Sequence, residues 1–264
     1  MKIILLGWLL TGSAFAVDLT VTKIRDLTFP DSVAGDGTSV VAATSGAEFL
    51  LQGDANARLD SVLPGSVELF SPCCRGVFAG SWISSPNNNW RLDAIGRLTV
   101  RIGATATGID VNRTPGTYNA PFIIQSRYRT TGPWVQGTAQ AVVKIISSLS
   151  LSTVRDLDFG PATLSDPSLT LAPTQSGAAA FTVQGEASHS YTIVLPGSVT
   201  MKTGTINSPR NRIVVSPLTS LPSPSGVLSG SGHETLFVAG TRAAILSNQV
   251  AGSYSASFTV SIAY

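Results

Sequence analysis

The chain has 264 residues, of which 12% are charged, with 17 lysines and arginines against 15 aspartates and glutamates. This balance excludes a polycation that binds nucleic acid through its phosphates. Glycine, serine and threonine are abundant while lysine and glutamate are scarce, and this usage favours strands and turns over helices.

The N-terminus has the pattern of a secretory signal peptide. Lys2 supplies the positive charge, an apolar run extends from Ile3 to Leu10, and Ala14-Phe15-Ala16 is a small-residue cleavage pattern. The alternative, an anchor helix, is disfavoured because the run is too short to span a bilayer. We therefore predict a signal peptide over residues 1–16, a mature chain without a transmembrane segment, and export to the periplasm, cell surface or extracellular space.

The adjacent cysteines Cys73 and Cys74 are the only two in the chain. Two cysteines do not make a disulfide scaffold, so a disulfide between these neighbours and a bond to another chain both stay open. A zinc site needs more cysteine or histidine ligands, and His189 and His233 lie far along the chain. No metal or other cofactor is expected.

Two tryptophans of the first half frame a polar loop. Trp82 and Trp90 enclose a run that includes Asn87 and Asn88. An exposed tryptophan beside asparagine suits contact with a sugar or a protein, because the ring supplies area and the amide supplies hydrogen bonds. In the other interpretation, these rings cover the end of the first hydrophobic core.

The chain contains an internal repeat. Residues 24–29 resemble 154–159, residues 52–55 resemble 184–187, and Leu-Pro-Gly-Ser-Val occurs at both 63–67 and 195–199. The offset is 130 from Phe29 to Phe159, 132 from Leu63 to Leu195, and 136 from Tyr118 to Tyr254. The drift indicates small insertions in loops around a shared core.

The closing segment alternates apolar and small polar residues. Its marked positions are Gly252, Tyr254, Phe258, Val260, Ile262 and Tyr264, and residues 116–128 carry a similar pattern. Since side chains alternate across a strand, we predict that positions 254, 256, 258, 260, 262 and 264 share one buried face. This strand completes the second sandwich, and its free edge is the candidate site for assembly by strand addition.

Short strands separated by turn residues predict an all-β fold with two tandem immunoglobulin-like or pilin-like β-sandwich domains. A barrel is the alternative. Gly132-Pro133 interrupts the first repeat, and residues 139–146 have the pattern of a leading strand. The predicted domains are therefore 17–134, the more diverged copy, and 135–264.

Arg-Asp-Leu-x-Phe at 155–159, Phe-Thr-Val-Gln-Gly at 181–185 and the closing strand carry a family resemblance. The chain resembles a bacterial secreted domain of unknown function, DUF4402, in two copies. The closing strand is also similar to the C-terminal strand of chaperone–usher pilins. These resemblances imply an exported sandwich, with a periplasmic chaperone or like subunits as partners through strand addition.

The sequence shows no arrangement typical of an enzyme. A nucleophile elbow of the form Gly-x-Ser-x-Gly is missing, and no glycine-rich phosphate loop opens a helix. We therefore expect a non-catalytic secreted or cell-surface protein with a structural or adhesive role, in the manner of a fimbrial-like subunit. The alternative is a module that binds carbohydrate or protein through the tryptophan-bearing first domain.

Overall fold

The computed structural model describes residues 17–264 except 88, 130, 131, 206 and 207, so the predicted signal peptide and Asn88 lie outside it. The described residues form twenty strands and two short 3₁₀ turns, which confirms the all-β prediction. The chain divides into two compact units: unit 1 extends to Ile146 and unit 2 comprises Ser147–Tyr264.

Unit 1 contains eleven strands. They are β1 (Thr20–Arg25), β2 (Leu27–Thr28), β3 (Ser32–Val33), β4 (Gly37–Val41), β5 (Ala47–Gln52), β6 (Leu59–Val62), β7 (Val67–Leu69), β8 (Val77–Ser85), β9 (Arg97–Ile109), β10 (Gly116–Tyr128) and β11 (Val135–Ile146).

These strands form two sheets packed face to face. One sheet has the order β1-β5-β9-β8-β7, with β4 also paired to β9, and the other has the order β2-β11-β10-β6, with β3 also paired to β11. The inward side chains of both sheets meet in one hydrophobic core. Within it, the rings of Phe49 and Phe122 meet edge to face across the sheets at 6.1 Å.

Unit 2 contains nine strands. They are β12 (Ser150–Arg155), β13 (Leu169–Thr170), β14 (Ala179–Gln184), β15 (Ser190–Val194), β16 (Val199–Lys202), β17 (Arg212–Leu221), β18 (Ser225–Val227), β19 (His233–Arg242) and β20 (Ser261–Ala263).

The main sheet of unit 2 repeats the main sheet of unit 1. Its order is β12-β14-β19-β17-β16, with β13 also paired to β19. The registers agree as well, since Phe181 pairs with Leu236 as Phe49 pairs with Val100. The sequence repeat therefore corresponds to a repeated sandwich topology, as predicted.

The boundary between the units differs from the predicted one. Residues 135–146 were expected to lead the second domain, but they form β11, which pairs with β10, β2 and β3 inside unit 1. The alternating pattern of β11 is the same for a first strand and a last strand, so pattern alone could not assign it to a unit. The boundary lies after Ile146 rather than near residue 134.

Candidate functional site: an open groove in unit 2

Strand β11 is the element that closes the sandwich of unit 1. It runs antiparallel to β10 over eleven paired positions, from Gly116 with Ile145 to Ser126 with Val135. Its other edge pairs in parallel with β2 and β3. Strand β11 therefore fills the space between β10 and the β2–β3 segment.

Unit 2 has the two borders of this space but lacks the strand between them. The closing segment holds the place of β10: Ser261 pairs with Val194 as Gln125 pairs with Val62. An isolated bridge between Lys202 and Ser255 likewise repeats the bridge between Phe70 and Asn119. Among the described residues of unit 2, no strand occupies the position of β11.

The missing strand explains a consistent loss of burial. In unit 1, side chains beside β11 are at most 3% exposed; these are Leu27, Phe29, Tyr118, Ala120, Phe122 and Ile124. Their counterparts in unit 2 are half-buried, except Ala256, which is exposed; these are Leu157, Phe159, Tyr254, Ala256, Phe258 and Val260. The residue types are nearly the same, so the difference comes from the absent neighbour.

The closing segment therefore differs from the sequence prediction. Its alternation is present, but only Ser261–Ala263 forms a regular strand, and the predicted face is half-buried rather than buried. Ile262 is half-buried, and Tyr264 is 38% exposed. Residues 256–260 lack a ladder partner among the described residues, and this leaves both their backbone and their apolar face open.

We call the space between residues 157–164 and 252–262 the open groove. At the Gly252 end it widens into a cavity of about 720 Å³ that Phe159, Leu164, Met201, Ile245 and Tyr254 help to line. The cavity continues toward Phe181 and Phe258. The groove is long, mostly apolar and bordered by backbone, which suits an extended strand better than a compact metabolite.

An aspartate that binds β11 in unit 1 has a counterpart beside the open groove of unit 2. Asp26 Oδ1 accepts a hydrogen bond from Gln140 N of β11 at 2.8 Å, and this bond is the main reason that the pKa of Asp26 lies below its ordinary value. The counterpart Asp156, 130 positions later, lies on the wall of the groove and is exposed. It stands where it can accept an N–H from an incoming strand.

The tryptophan pair does not form the predicted contact surface. Trp90 is 1% exposed and donates its indole N–H to Pro86 O at 3.2 Å, so it belongs to the core of unit 1 and cannot contact a ligand. Trp82 donates to Gly65 O at 2.6 Å, and its half-buried ring packs on Phe122 at 4.7 Å. Asn87 is exposed, but neither ring is presented beside it.

The remaining candidates do not line the groove. Cys73 and Cys74 are joined to each other in a disulfide, between β7 and β8. His189 packs against Tyr264 with ring centroids 5.9 Å apart. In the described part of the chain, no three His, Cys, Asp or Glu side chains form a cluster able to hold a metal ion. None of the described helices is long and apolar enough to cross a membrane.

Residues 158–264 match the family model of a domain of unknown function, DUF4402. The matched range is nearly all of unit 2, from one border of the open groove to the other. The match does not extend to unit 1, whose likeness to unit 2 rests on the shared strand order and registers. No curated protein is significantly similar to the chain.

Several solved structures are similar at low identity. The CooA pilin subunit from enterotoxigenic Escherichia coli is 12% identical, with 48% of this chain and 98% of that chain covered and a TM-score of 0.34. The complex of a chaperone with the tip adhesion subunit of archaic chaperone-usher Csu pili from Acinetobacter baumannii is 11% identical, with 94% of this chain and 100% of that chain covered and a TM-score of 0.34. A protein of unknown function from Porphyromonas gingivalis W83 is 14% identical, with 86% of this chain and 83% of that chain covered and a TM-score of 0.28. Scores this low assign no role to the chain.

Proposed function

We propose that this chain is a non-catalytic, exported structural subunit, and that its unit 2 accepts a β-strand from another protein chain. The accepted strand comes from a like subunit in a fimbrial-like assembly, or from a periplasmic chaperone before assembly. One observation carries the proposal: unit 1 contains β11, whereas unit 2 repeats every neighbour of β11 without the strand itself.

The physical argument starts from the two exposed edges. Residues 256–260 lie outside any ladder, and Leu157 and Phe159 flank Asp158, whose own N–H is bonded to Gly177 O. The backbone groups of 256–260, 157 and 159 are those that an added strand could pair. The same strand would cover the half-buried faces of Tyr254, Phe258 and Val260. Full burial of such a side chain is worth roughly 1.5–3 kcal/mol, so completing each of these contributes about 1 kcal/mol. Strand addition thus supplies both ladder hydrogen bonds and apolar burial.

The packing of β11 in unit 1 favours another chain as the source of the strand for unit 2. Strand β11 is paired on both edges, and Ala139, Ala141 and Val143 are buried within the core of unit 1. Withdrawing it to fill unit 2 would open unit 1 by the same amount. The strand that fills unit 2 therefore comes from another chain, and unit 1 is left complete and available for display.

The proposal is tested by supplying the strand in the same chain. Tyr264 is the counterpart of Tyr128, so a second copy of residues 129–146 attached after Tyr264 reproduces the natural connection to β11. We expect the thermal midpoint of unit 2 to rise by several degrees, since a gain of 1 kcal/mol shifts a domain of this size by about 4–8 °C. We also expect the extended chain to stop associating with other copies or with a co-expressed periplasmic chaperone.

Two matched extensions serve as controls. In one, the copy of Ala141 is replaced by aspartate, which places an unpaired charge on the inward face and should abolish the stabilisation. In the other, the copy of Thr138, which is exposed in β11, is replaced by aspartate and should retain it. Equal midpoints for the native chain, the unsubstituted extension and the extension with aspartate at the copy of Thr138 would show that unit 2 has no place for a strand.

A further inference from the structure

A buried arginine lies at one end of the open groove. Arg242, the last residue of β19, is 5% exposed and lines the cavity at the Gly252 end. Its two terminal nitrogens donate to backbone carbonyls, Nη1 to Ala243 O at 3.3 Å and Nη2 to Pro167 O at 3.2 Å. Its Nε is buried without any hydrogen-bond partner.

An unpaired N–H on a buried cation is costly, because the group has lost water without gaining an acceptor. Two carboxylates, Asp158 and Asp166, lie on the same segment of unit 2. Asp158 is exposed and Asp166 is half-buried, and both are bonded within their own turns, Asp158 to Gly160 N and Asp166 to Thr163. The pKa of Asp166 is lowered, first by the hydrogen bonds from Thr163 and further by the charge of Arg242. Neither approaches Arg242 closely enough for an ion pair in the described structure, so Asp166 compensates the charge from a distance and the Nε donor stays unpaired.

Unit 1 has no charge at this place. Ala106 is the counterpart of Arg242. Ala106 pairs with Ala79 as Arg242 pairs with Val215, and the offset between the units is 136 positions for both residues of the pair. Ala106 is fully buried in an apolar core. The two units thus differ in chemistry at this end: unit 1 holds an aliphatic strand end, whereas the cavity of unit 2 is lined by the charged side chains of Arg242 and Asp158.

The register of unit 1 indicates which part of an added strand would reach this end. Gly116 and Tyr118 pair with Ile145 and Val143 of β11, and both of these side chains point inward. Their counterparts Gly252 and Tyr254 border the cavity that Arg242 lines. The corresponding two inward positions of an added strand would therefore enter the cavity beside the guanidinium.

We propose that the strand accepted by the open groove carries a carboxylate on one of these two inward positions, and that Arg242 binds it. This inference rests on the proposed function and specifies the partner: an extended segment of another chain, apolar and small at its inward positions, with an aspartate or glutamate near the Gly252 end. A charge-assisted hydrogen bond donated by Nε to this carboxylate satisfies the donor and adds to the charge compensation that Asp166 supplies. Arg242 thereby favours such a strand over one whose inward residues are all aliphatic, as in β11.

Peptides derived from β11 test this on the mature, full-length chain. The probes are VQGTAQAVVKII, its versions with glutamate at the position of Ile145 or Val143, and the same versions with glutamine. A version with glutamate at the exposed position of Thr138 controls for net charge. We expect one inward glutamate peptide to bind at least about tenfold more tightly than its glutamine match and the Thr138 control, as is typical of a buried charged hydrogen bond.

Arg242→Met, which keeps the length of the side chain without its charge, should remove the glutamate advantage. The peptide series on the unaltered chain decides the proposal even if that variant fails to fold. Equal binding of all peptides would overturn the carboxylate partner while leaving strand acceptance intact. A glutamate advantage that persists in folded Arg242→Met would also overturn it. If no peptide binds, including the β11 sequence itself, strand acceptance falls and this inference falls with it.

Discussion

The carboxylate of Asp26 holds the backbone of β11 through Gln140, whose N–H it accepts at 2.8 Å. The contact joins the junction of β1 and β2 to the strand that closes unit 1. The repeated Arg-Asp-Leu motif places Asp156 at the corresponding junction of unit 2, where the described structure offers it no such strand. One motif is therefore seen with its partner strand in unit 1 and without it in unit 2.

The stability of unit 1 should depend on acid through Asp26. Its pKa is lowered, first by the hydrogen bond from Gln140 and further by Lys23, so the ionised form is favoured in the folded state. The contribution is present above the unfolded pKa of about 3.9 and is lost as pH falls through the lower folded value. Asp26→Asn should therefore flatten the acid side of the unit 1 stability curve, measured by urea unfolding between about pH 2 and 6. An unchanged curve would contradict this role.

The matched substitution in unit 2 should have an effect only when a strand is present. In the native chain, Asp156→Asn removes a carboxylate from the exposed wall of an open groove, and we expect a change within about 0.5 kcal/mol. In the chain extended with residues 129–146, Asp156 can accept the N–H of the added copy of Gln140. The substitution should then cost about 1 kcal/mol or more, compared by urea unfolding. Equal costs in both chains would show that Asp156 does not bind the strand.

A tyrosine clamp closes each unit and accounts for a second repeated motif. Tyr264 donates to Ser147 O at 2.7 Å and accepts from Glu186 N at 2.6 Å, while Tyr128 makes the same contacts with Val17 and Asp54. The glycine before each donating residue, Gly53 or Gly185, leaves room for the hydroxyl, since a Cβ there would collide with it. The Gln-Gly-Asp/Glu-Ala motif thus matches a tyrosine far away in sequence.

Removing this hydroxyl should loosen the start of unit 2. Tyr264→Phe removes the hydroxyl that accepts from Glu186 N and donates to Ser147 O, and we expect a loss of about 1 kcal/mol from the free energy of unfolding. Tyr128→Phe is the matched change in unit 1. Each variant should lower the midpoint of its own unit in a two-transition thermal melt; a shift confined to the other unit would contradict the assignment.

The repeat made much of this fold predictable from sequence. The paired motifs identify two copies of one sandwich, because identical turns such as Leu-Pro-Gly-Ser-Val connect equivalent strands. In the closing segment, positions 254, 258, 260 and 262 are half-buried while the residues between them are exposed, but the predicted positions 256 and 264 are exposed as well. Periodicity, however, reports which way a side chain points and not whether a neighbouring strand covers it. The half-burial of Phe258 therefore could not be predicted from its own segment.

The predicted domain boundary and the predicted tryptophan contact surface differ from the structure for related reasons. Strand β11 has a pattern that suits either unit, and only its pairing with β10 and β2 decides between them. Trp90 stands beside an asparagine-rich loop in sequence, yet its ring lies inside the core. Arg242 gives no local sign of function, because its significance comes from the cavity that surrounds it. The available signal was the alignment of the two repeats, in which Arg242 stands where the first repeat has Ala106.

Hydrogen exchange should distinguish the two β10-like segments in the native chain. Amides of residues 120–124 lie in a strand paired along β11, whereas residues 256–260 lie along the open groove. We expect faster exchange of 256–260 by at least tenfold, because their opening requires no strand separation. In the extended chain these amides should become as protected as residues 120–124. Equal protection in the native chain would mean that the groove is already filled.

Truncating the paired phenylalanines should show how much β11 contributes to core packing. Phe122 is 1% exposed and contacts both Phe49 and Trp82, so Phe122→Ala should cost about 3–5 kcal/mol. Phe258 is half-buried, and Phe258→Ala should cost clearly less, about 1–2 kcal/mol, in the native chain. In the extended chain, the added strand covers this ring and its cost should rise toward that of Phe122. The native and extended chains, each with and without Phe258→Ala, form a double-mutant cycle. Its coupling energy, measured by urea unfolding, reports the contact between the strand and Phe258. A coupling of zero would place the added strand outside the groove.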